Sequence, residues 1–318
     1  MTIRVLGLAV LFTIGGALVA QQPAAAPAPA PAPAPAPELV RIVRLKMSAG
    51  DLASGQAAAE DYKRTNGVDA EYLNAIGWIA RGAEMLGRLE LADEAVRELH
   101  REIPNEDPKL LTPYGAAIEV EGRLLHRRQG RGAAIRYWEQ QIAAAKALSL
   151  RSRIRKNINL LAMEGEAAPP IQGTKLDGTS APTVQSLRGK PVVVFLFAEW
   201  CGDCKAQAAS LTRVWEKYRS RGLAMVAVTR LYSSPTDEKP MTPAEETAKV
   251  KKVWAELYPG LADIPVVIDT DTMVRYGASA TPSFALIDKK GATRLYTATR
   301  LSEAELSARI EGLLAEEP

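Results

Sequence analysis

The segment PVVVFLFAEWCGDCKAQAASLTRVWEKYRSRGLAMVAVT, beginning at Pro191, constrains the chain most, because it holds both of its cysteines and a complete change of periodicity. A β-branched and apolar run reads as a buried strand, an amphipathic helix follows the cysteines, and a second buried strand closes the unit. The order is therefore β-turn-α-β. Cys201 falls where the strand ends and the helix begins. Its sulfur then faces the free N–H groups and positive dipole end of the helix, a placement that favours thiolate. Cys204 sits one helical turn further on the same side, so a disulfide between them can open and close with little backbone movement.

The rest of the composition narrows the chemistry. With two histidines, His100 and His126, beside the two cysteines, a four-ligand Cys/His zinc site cannot be assembled from one chain. Neither histidine has a carboxylate or Cys at ligand spacing in the sequence, and both read as structural. No metal is expected. Forty Lys and Arg against thirty-seven Asp and Glu leave +3 over 318 residues, too little to imply a nucleic-acid partner.

Four regions follow from the texture of the chain. Residues 1–20 carry Arg4 and then an uncharged apolar run ending in small residues, the pattern of a secretory signal and so of a periplasmic address. Cleavage after Ala17, Ala20 or Ala24 to Ala26 fits that pattern, and a retained N-terminal anchor is the alternative. Residues 21–37 are dominated by Ala-Pro alternation, which makes an extended spacer rather than a fold. Residues 38–165 are rich in Ala, Leu, Arg and Glu with apolar residues at three- and four-residue intervals, as in Tyr72, Ile76, Ile79 and Ala83, and read as all-helical. A weak echo begins at Gly50, Gly87 and Gly130, and NAIGWIARGAEMLGRLELADEA resembles a tetratricopeptide unit. That resemblance implies helical hairpins and a possible protein partner docked on them; a helical cap packed on the next domain is the competing reading. Between Arg123 and Lys156 ten basic residues face Glu139 alone, either a docking face or cations balanced by acids elsewhere. Residues 166–318 form the last region, set off by Pro169 and Pro170.

Trp200-Cys201-Gly202-Asp203-Cys204 after a hydrophobic strand resembles a thioredoxin-fold active site. Downstream, IPVVIDTDTMVRYGASATPSFALI is similar to that family's strand, helix and Thr-Pro turn. Upstream, GTKLDGTSAPTVQSLRGKPVVVFLFAEWC resembles the TlpA/ResA-type exported thiol-disulfide oxidoreductases. The resemblance covers close to half the chain and implies an α/β thioredoxin-like fold there, with the separate all-α domain before it. It also implies a cis Pro282 facing the disulfide, with Thr281 and Trp200 beside the substrate, and electrons supplied by a membrane electron carrier or another thiol donor. Cys201 and Cys204 are then the catalytic pair, Glu199, Gly202, Asp203 and Lys205 tune it, and no cofactor is needed beyond the redox-active disulfide. The substrates are protein disulfides or dithiols.

The sequence departs from the family at three places. Phe195 stands where thioredoxin has a buried carboxylate, so the proton lost in exchange needs another acceptor. The helix reads CKAQAASL, without the family's frequent proline, and Asp203 replaces the usual Pro or His between the cysteines. A carboxylate there should disfavour the thiolate and make the pair more reducing.

Other readings are weaker. A c-type haem site needs His where Lys205 stands, and a peroxiredoxin-like peroxidase needs Pro-x-x-x-Thr-x-x-Cys where Phe197, Ala198, Glu199 and Trp200 precede the first cysteine. An inert disulfide closing so short a loop removes little chain entropy. A helical-repeat scaffold with a redox-inactive thioredoxin-like domain is the remaining alternative.

Overall fold

The computed structural model describes residues 38–234 and 237–317; the expected signal and Ala-Pro spacer lie outside the described residues. Seven helices come first: α1 Glu38–Ser48, α2 Leu52–Asn66, α3 Ala70–Met85, α4 Leu89–Glu102, α5 Leu111–Gln129, α6 Arg131–Ala144 and α7 Leu148–Ala162. They stack as hairpins, α1 on α2 and α3, α3 on α4 and α5, and α5 on α6 and α7. The three glycines of the sequence echo turn the hairpins. Gly50, Gly87 and Gly130 have φ of 77°, 73° and 85°, a region closed to most side chains, and each joins the two helices of a pair. Close approach inside the stack needs small residues too: a Cβ on Gly122 would lie 2.1 Å from the Trp138 ring. That indole donates from Nε1 to the Ile118 carbonyl at 3.0 Å, so its one polar atom is satisfied in the core.

Four of the ten cations between Arg123 and Lys156, namely Arg123, Arg127, Arg128 and Lys156, meet acids on α3, α4 and α5. Glu119 is buried and contacts Arg81 at 3.3 Å, Arg123 at 2.8 Å and Lys156 at 3.7 Å. Glu84, also buried, takes Arg127 at 2.7 Å and Arg123 at 3.4 Å, and Asp93 pairs with Arg128. His100 likewise finds a carboxylate that sequence spacing does not reveal, with its Nε2 2.8 Å from Glu121 Oε2. Burial pushes the Glu119 carboxyl up, but Lys156, Arg81, Arg123 and Arg153 together outweigh it and hold the group at about 2.

Nine further elements follow in the order β1 Thr174–Lys175, β2 Val192–Leu196, α8 Gly202–Tyr218, β3 Ala224–Thr229, α9 Pro243–Leu257, β4 Val266–Ile268, α10 Thr270–Arg275, β5 Ser283–Ile287 and β6 Thr293–Thr297, and α11 Glu303–Ala315 closes the chain. The strands make one mixed sheet of order β1-β4-β3-β2-β5-β6. β2, β3 and β4 run parallel, while β5 pairs antiparallel with β2, setting Phe195 between Ala227 and Phe284. This is the thioredoxin-like α/β fold. Period-two alternation splits β2 between two cores. Val193 and Phe195 pack with Leu211 and Val214 of α8, Trp254 of α9 and Ile310 of α11. Val192, Val194 and Leu196 pack on the other face with Met273, Tyr276 and Tyr296.

The helical and sheet regions are joined through packing as well as through the chain. Met163, just after α7, already belongs to the second of these cores, and Gly165 N donates to the Thr293 carbonyl at 2.8 Å. Asn159 Nδ2 donates to the Arg275 carbonyl at 3.0 Å, and Gly277, with φ of 65°, is so near the Lys156 backbone that a Cβ would come within 2.4 Å.

Glu119→Ala leaves Arg81, Arg123 and Lys156 facing one another in a buried site, and should cost about 3 kcal/mol, read from urea unfolding at pH 7. Because the folded carboxyl is held below its ordinary value of about 4.3, its contribution is present above that value and lost as pH falls towards about 2. The gap between variant and wild type should therefore narrow across that window; equal unfolding midpoints at pH 7 would remove Glu119 from the stabilising network.

Candidate active site around the cysteine pair

The site forms where β2 runs out beneath the first turn of α8. Phe197 continues the pairing by donating to the Val228 carbonyl at 2.9 Å, and the chain then turns, with Cys201 N donating to Ala198 O at 3.1 Å. Cys201 is the N-cap of α8, and its Sγ accepts the Cys204 amide at 3.2 Å. One of the orphan donors at the helix start is thus aimed at the sulfur. The Cys201 thiol in turn lies 3.2 Å from the Thr281 carbonyl, to which it donates. The Thr281–Pro282 bond is cis, and Ser283 begins β5 directly after it. Cys201, Cys204, Thr281 and Pro282 are therefore brought together from positions eighty residues apart.

Cys204 is wholly enclosed, and both thiols are free. Beneath the pair lies an aromatic floor. Phe195 stacks with Phe284 at 5.3 Å, Phe197 meets Trp254 at 5.2 Å, and Trp254 stacks on Tyr258 at 4.4 Å. Tyr258 directs its hydroxyl to the Cys204 carbonyl at 2.8 Å. Burial, followed by the hydrogen bond with Cys201, pushes the Cys204 thiol up to about 12. Tyr258 was not legible beforehand because it enters from beyond α9, and nothing in its local sequence marks it as facing α8.

Trp200 is 57% exposed and stands beside the pair with its ring edge-on to Tyr232 at 5.5 Å. The Arg230 guanidinium lies 4.1 Å over that Tyr232 ring, so an aromatic and cationic rim borders the cysteines. The four neighbouring positions singled out in the sequence diverge. Gly202 opens to solvent, and a Cβ there would meet nothing within 4 Å, so no close approach requires a glycine. Asp203 also points outward, its side chain 70% exposed and its carboxylate 3.8 Å from Arg300. A solvated carboxylate with a cation beside it acts weakly on the sulfurs, because water and the Arg300 charge screen it. Lys205 is exposed, whereas Glu199 is buried and pairs with Lys249 of α9 at 2.9 Å.

Gln207, two turns into the helix from Cys201, ties α8 to the segment before α11. Its Nε2 donates to the Leu301 carbonyl at 2.7 Å and its Oε1 accepts the Leu301 amide at 3.1 Å. The site is therefore held on a helix anchored through its first two turns, with a sulfur at its start and an apolar floor behind it. Such an arrangement can hold a nucleophile at the helix start, 6% exposed, in front of a partner thiol that is fully enclosed. Among the described residues no group of three or more His, Cys, Asp or Glu converges as a metal site would.

The difference in enclosure has a direct readout. Limited iodoacetamide on the reduced protein at pH 8 should label Cys201 and leave Cys204 unmodified, because the Cys204 thiol is enclosed and pushed up to about 12. A peptide mass map with equal labelling of both would contradict this geometry.

Residues 163–303 match the redoxin family model. The thioredoxin-like protein YneN of Bacillus subtilis is 24% identical over 149 residues, covering 46% of this chain and 79% of that protein. The thiol-disulfide oxidoreductase ResA of Oceanobacillus iheyensis is 32% identical over 77 residues, 23% of this chain and 40% of that one. Among solved structures, a putative thiol:disulfide interchange protein DsbE from Chlorobium tepidum superposes with a TM-score of 0.39 at 24% identity, over 48% of this chain and 98% of that one.

Proposed function

We propose that this chain, whose C-terminal half carries a redoxin domain, is an exported thiol-disulfide oxidoreductase that reduces protein disulfides through Cys201 and Cys204. The observation that carries the reading is the Cys201 sulfur held at the start of α8, accepting the Cys204 amide at 3.2 Å beside Thr281 and Pro282. Export rests on the N-terminal sequence pattern, and the names of the relatives YneN and ResA support the activity class.

In the reaction, the Cys201 thiolate attacks one sulfur of a substrate disulfide, the substrate bond breaks, and the second substrate sulfur leaves as thiolate. Cys204 then loses its proton and attacks Cys201 Sγ, which forms the Cys201–Cys204 bond and releases the remaining substrate sulfur as thiolate. Two electrons pass from the enzyme pair to the substrate, whose thiolates take up protons from solvent. Thr281, with its carbonyl already against Cys201, offers backbone to an incoming chain, while Pro282, which has no N–H, leaves no donor of its own there. Trp200 gives that chain an exposed aromatic face. Burial raises the Cys204 thiol, so the resolving sulfur is held protonated in the reduced pair, and weak stabilisation of its thiolate supports the reducing direction. Spent enzyme is returned to the dithiol by a membrane electron carrier or another thiol donor. Asp203 and Lys205, both solvated, act only weakly on the pair, and Gly202 leaves the approach to it open.

Cys204→Ser should accumulate mixed disulfides with client proteins, because the first attack proceeds and the second is blocked. Cys201→Ser should trap none. Non-reducing gels of both variants check this, and equal trapping by both would overturn the assignment of roles. Insulin reduction by the wild type, lost in Cys201→Ser, separates the enzyme from a redox-inactive scaffold.

A further inference from the structure

Arg230 is a cation beside the cysteine pair that the exchange chemistry does not use. It follows directly on β3, which pairs with β2 up to the point where Phe197 donates to the Val228 carbonyl. The chain leaving β3 therefore emerges next to the turn that carries Trp200 and Cys201. The Arg230 guanidinium lies 4.1 Å over the Tyr232 ring, and that ring meets Trp200 edge-on at 5.5 Å. Contact is thus continuous from Arg230 to the residue preceding Cys201. Two other cations near the pair are already answered, since Arg300 faces Asp203 and Lys249 holds Glu199. Arg230 has instead a long contact from Nη1 to the Leu231 carbonyl, at 3.5 Å, and among the described residues no carboxylate within ion-pair distance.

The segment that carries this cation is held in place by a buried acid. Glu246, in the first turn of α9 and 1% exposed, accepts the Tyr232 amide at 2.6 Å with one oxygen and the Ser233 amide at 3.0 Å with the other. Ser233 Oγ in turn accepts the Met241 amide at 2.8 Å. Both oxygens of a buried carboxylate, placed at the favourable end of the helix dipole, thus hold the segment that sets the Tyr232 ring against Trp200. A guanidinium stacked on a fixed ring loses less freedom on taking a partner, and its planar fork of N–H groups matches a carboxylate.

We propose that Arg230 is a specificity residue that takes a carboxylate of the client chain, so that the enzyme favours disulfides with Asp or Glu beside the cysteine. This rests on the exchange reading above and adds its substrate class. Trp200, 57% exposed, gives the client an apolar face next to Cys201, and Arg230 waits at the far side of the Tyr232 ring for a flanking side chain. Lys205, exposed near the start of α8, adds to the positive potential at the mouth. Glu246 touches no client and is a positioning residue.

Three capped peptides, each with one cysteine flanked on both sides by Glu, by Gln or by Lys and oxidised to its symmetrical dimer, test this in single turnover. The reduced full chain is mixed with each dimer and quenched in acid, and the released thiol is quantified by chromatography. Dividing each rate by that of the same dimer with dithiothreitol removes the effect of the flanking charge on the leaving thiol. The wild type should prefer Glu to Gln by about 5-fold at low ionic strength, the range of a single favourable ion pair, and lose the preference in about 1 M salt. Arg230→Gln should remove the preference, and Arg230→Glu should turn it towards Lys. Glu246→Gln, with one acceptor oxygen for two amides, should weaken the preference although Arg230 is intact, and an unchanged ratio there overturns its positioning role. Equal wild-type rates for the Glu and Gln peptides overturn the proposal, as does a Glu preference that survives Arg230→Gln. Failure of the wild type to release thiol from any of the three would instead strike at the exchange reading itself.

Discussion

The contact on which the site depends is the Cys204 amide donating to Cys201 Sγ at the first turn of α8. It requires the strand β2 to end under the helix, and that in turn requires the two-sided burial that pins β2 between β3 and β5. Phe195, Phe197 and Phe284 fill the space under the turn, so the same residues that hold the sheet together also keep water from the second sulfur. One cysteine is thereby placed at the mouth of the site and the other behind it. Stability and reactivity share the same packing here, and neither can be altered independently at Phe195 or Phe197.

Much of this was legible because it is local. The switch from a continuous apolar run to helical periodicity fixes β2 and α8, and the position of Cys201 at that switch fixes its place at the helix start. The Gly50, Gly87 and Gly130 echo marks hairpin turns for the same reason: a tight turn with positive φ needs a residue without a Cβ. What could not be read depends on long-range pairing. Lys249 and Tyr258 reach the site from the α9 region, and Arg300 reaches Asp203 from before α11. Charge beside the cysteines was visible, but whether a carboxylate is screened or enclosed was not. Asp203 turns out to be solvated, and Glu199 to be buried, although Glu199 lies outside the cysteine motif and Asp203 within it.

The helical region shows the same rule in its charges. Ten cations in one stretch of sequence read either as a docking face or as charges balanced by acids elsewhere, and several of them are balanced, by Glu84 on α3 and by Glu119 on α5. Lys156 lies at this ionic cluster and also against Gly277, next to the helix that follows β4. The cluster and the sheet thus meet at α7, which makes the helical stack a structural support for the thioredoxin-like half at this point.

Under the proposed function, Cys201 and Cys204 form a reversible, reducing couple. Equilibrating the protein against graded glutathione ratios and quantifying the dithiol by acid-quenched alkylation measures that couple directly. A single two-electron transition near the thioredoxin end of the scale, about −270 mV, is the predicted result. A potential near about −120 mV would reverse the direction of electron flow, and a bond that resists reduction below about −300 mV would make the pair a structural disulfide and contradict the account.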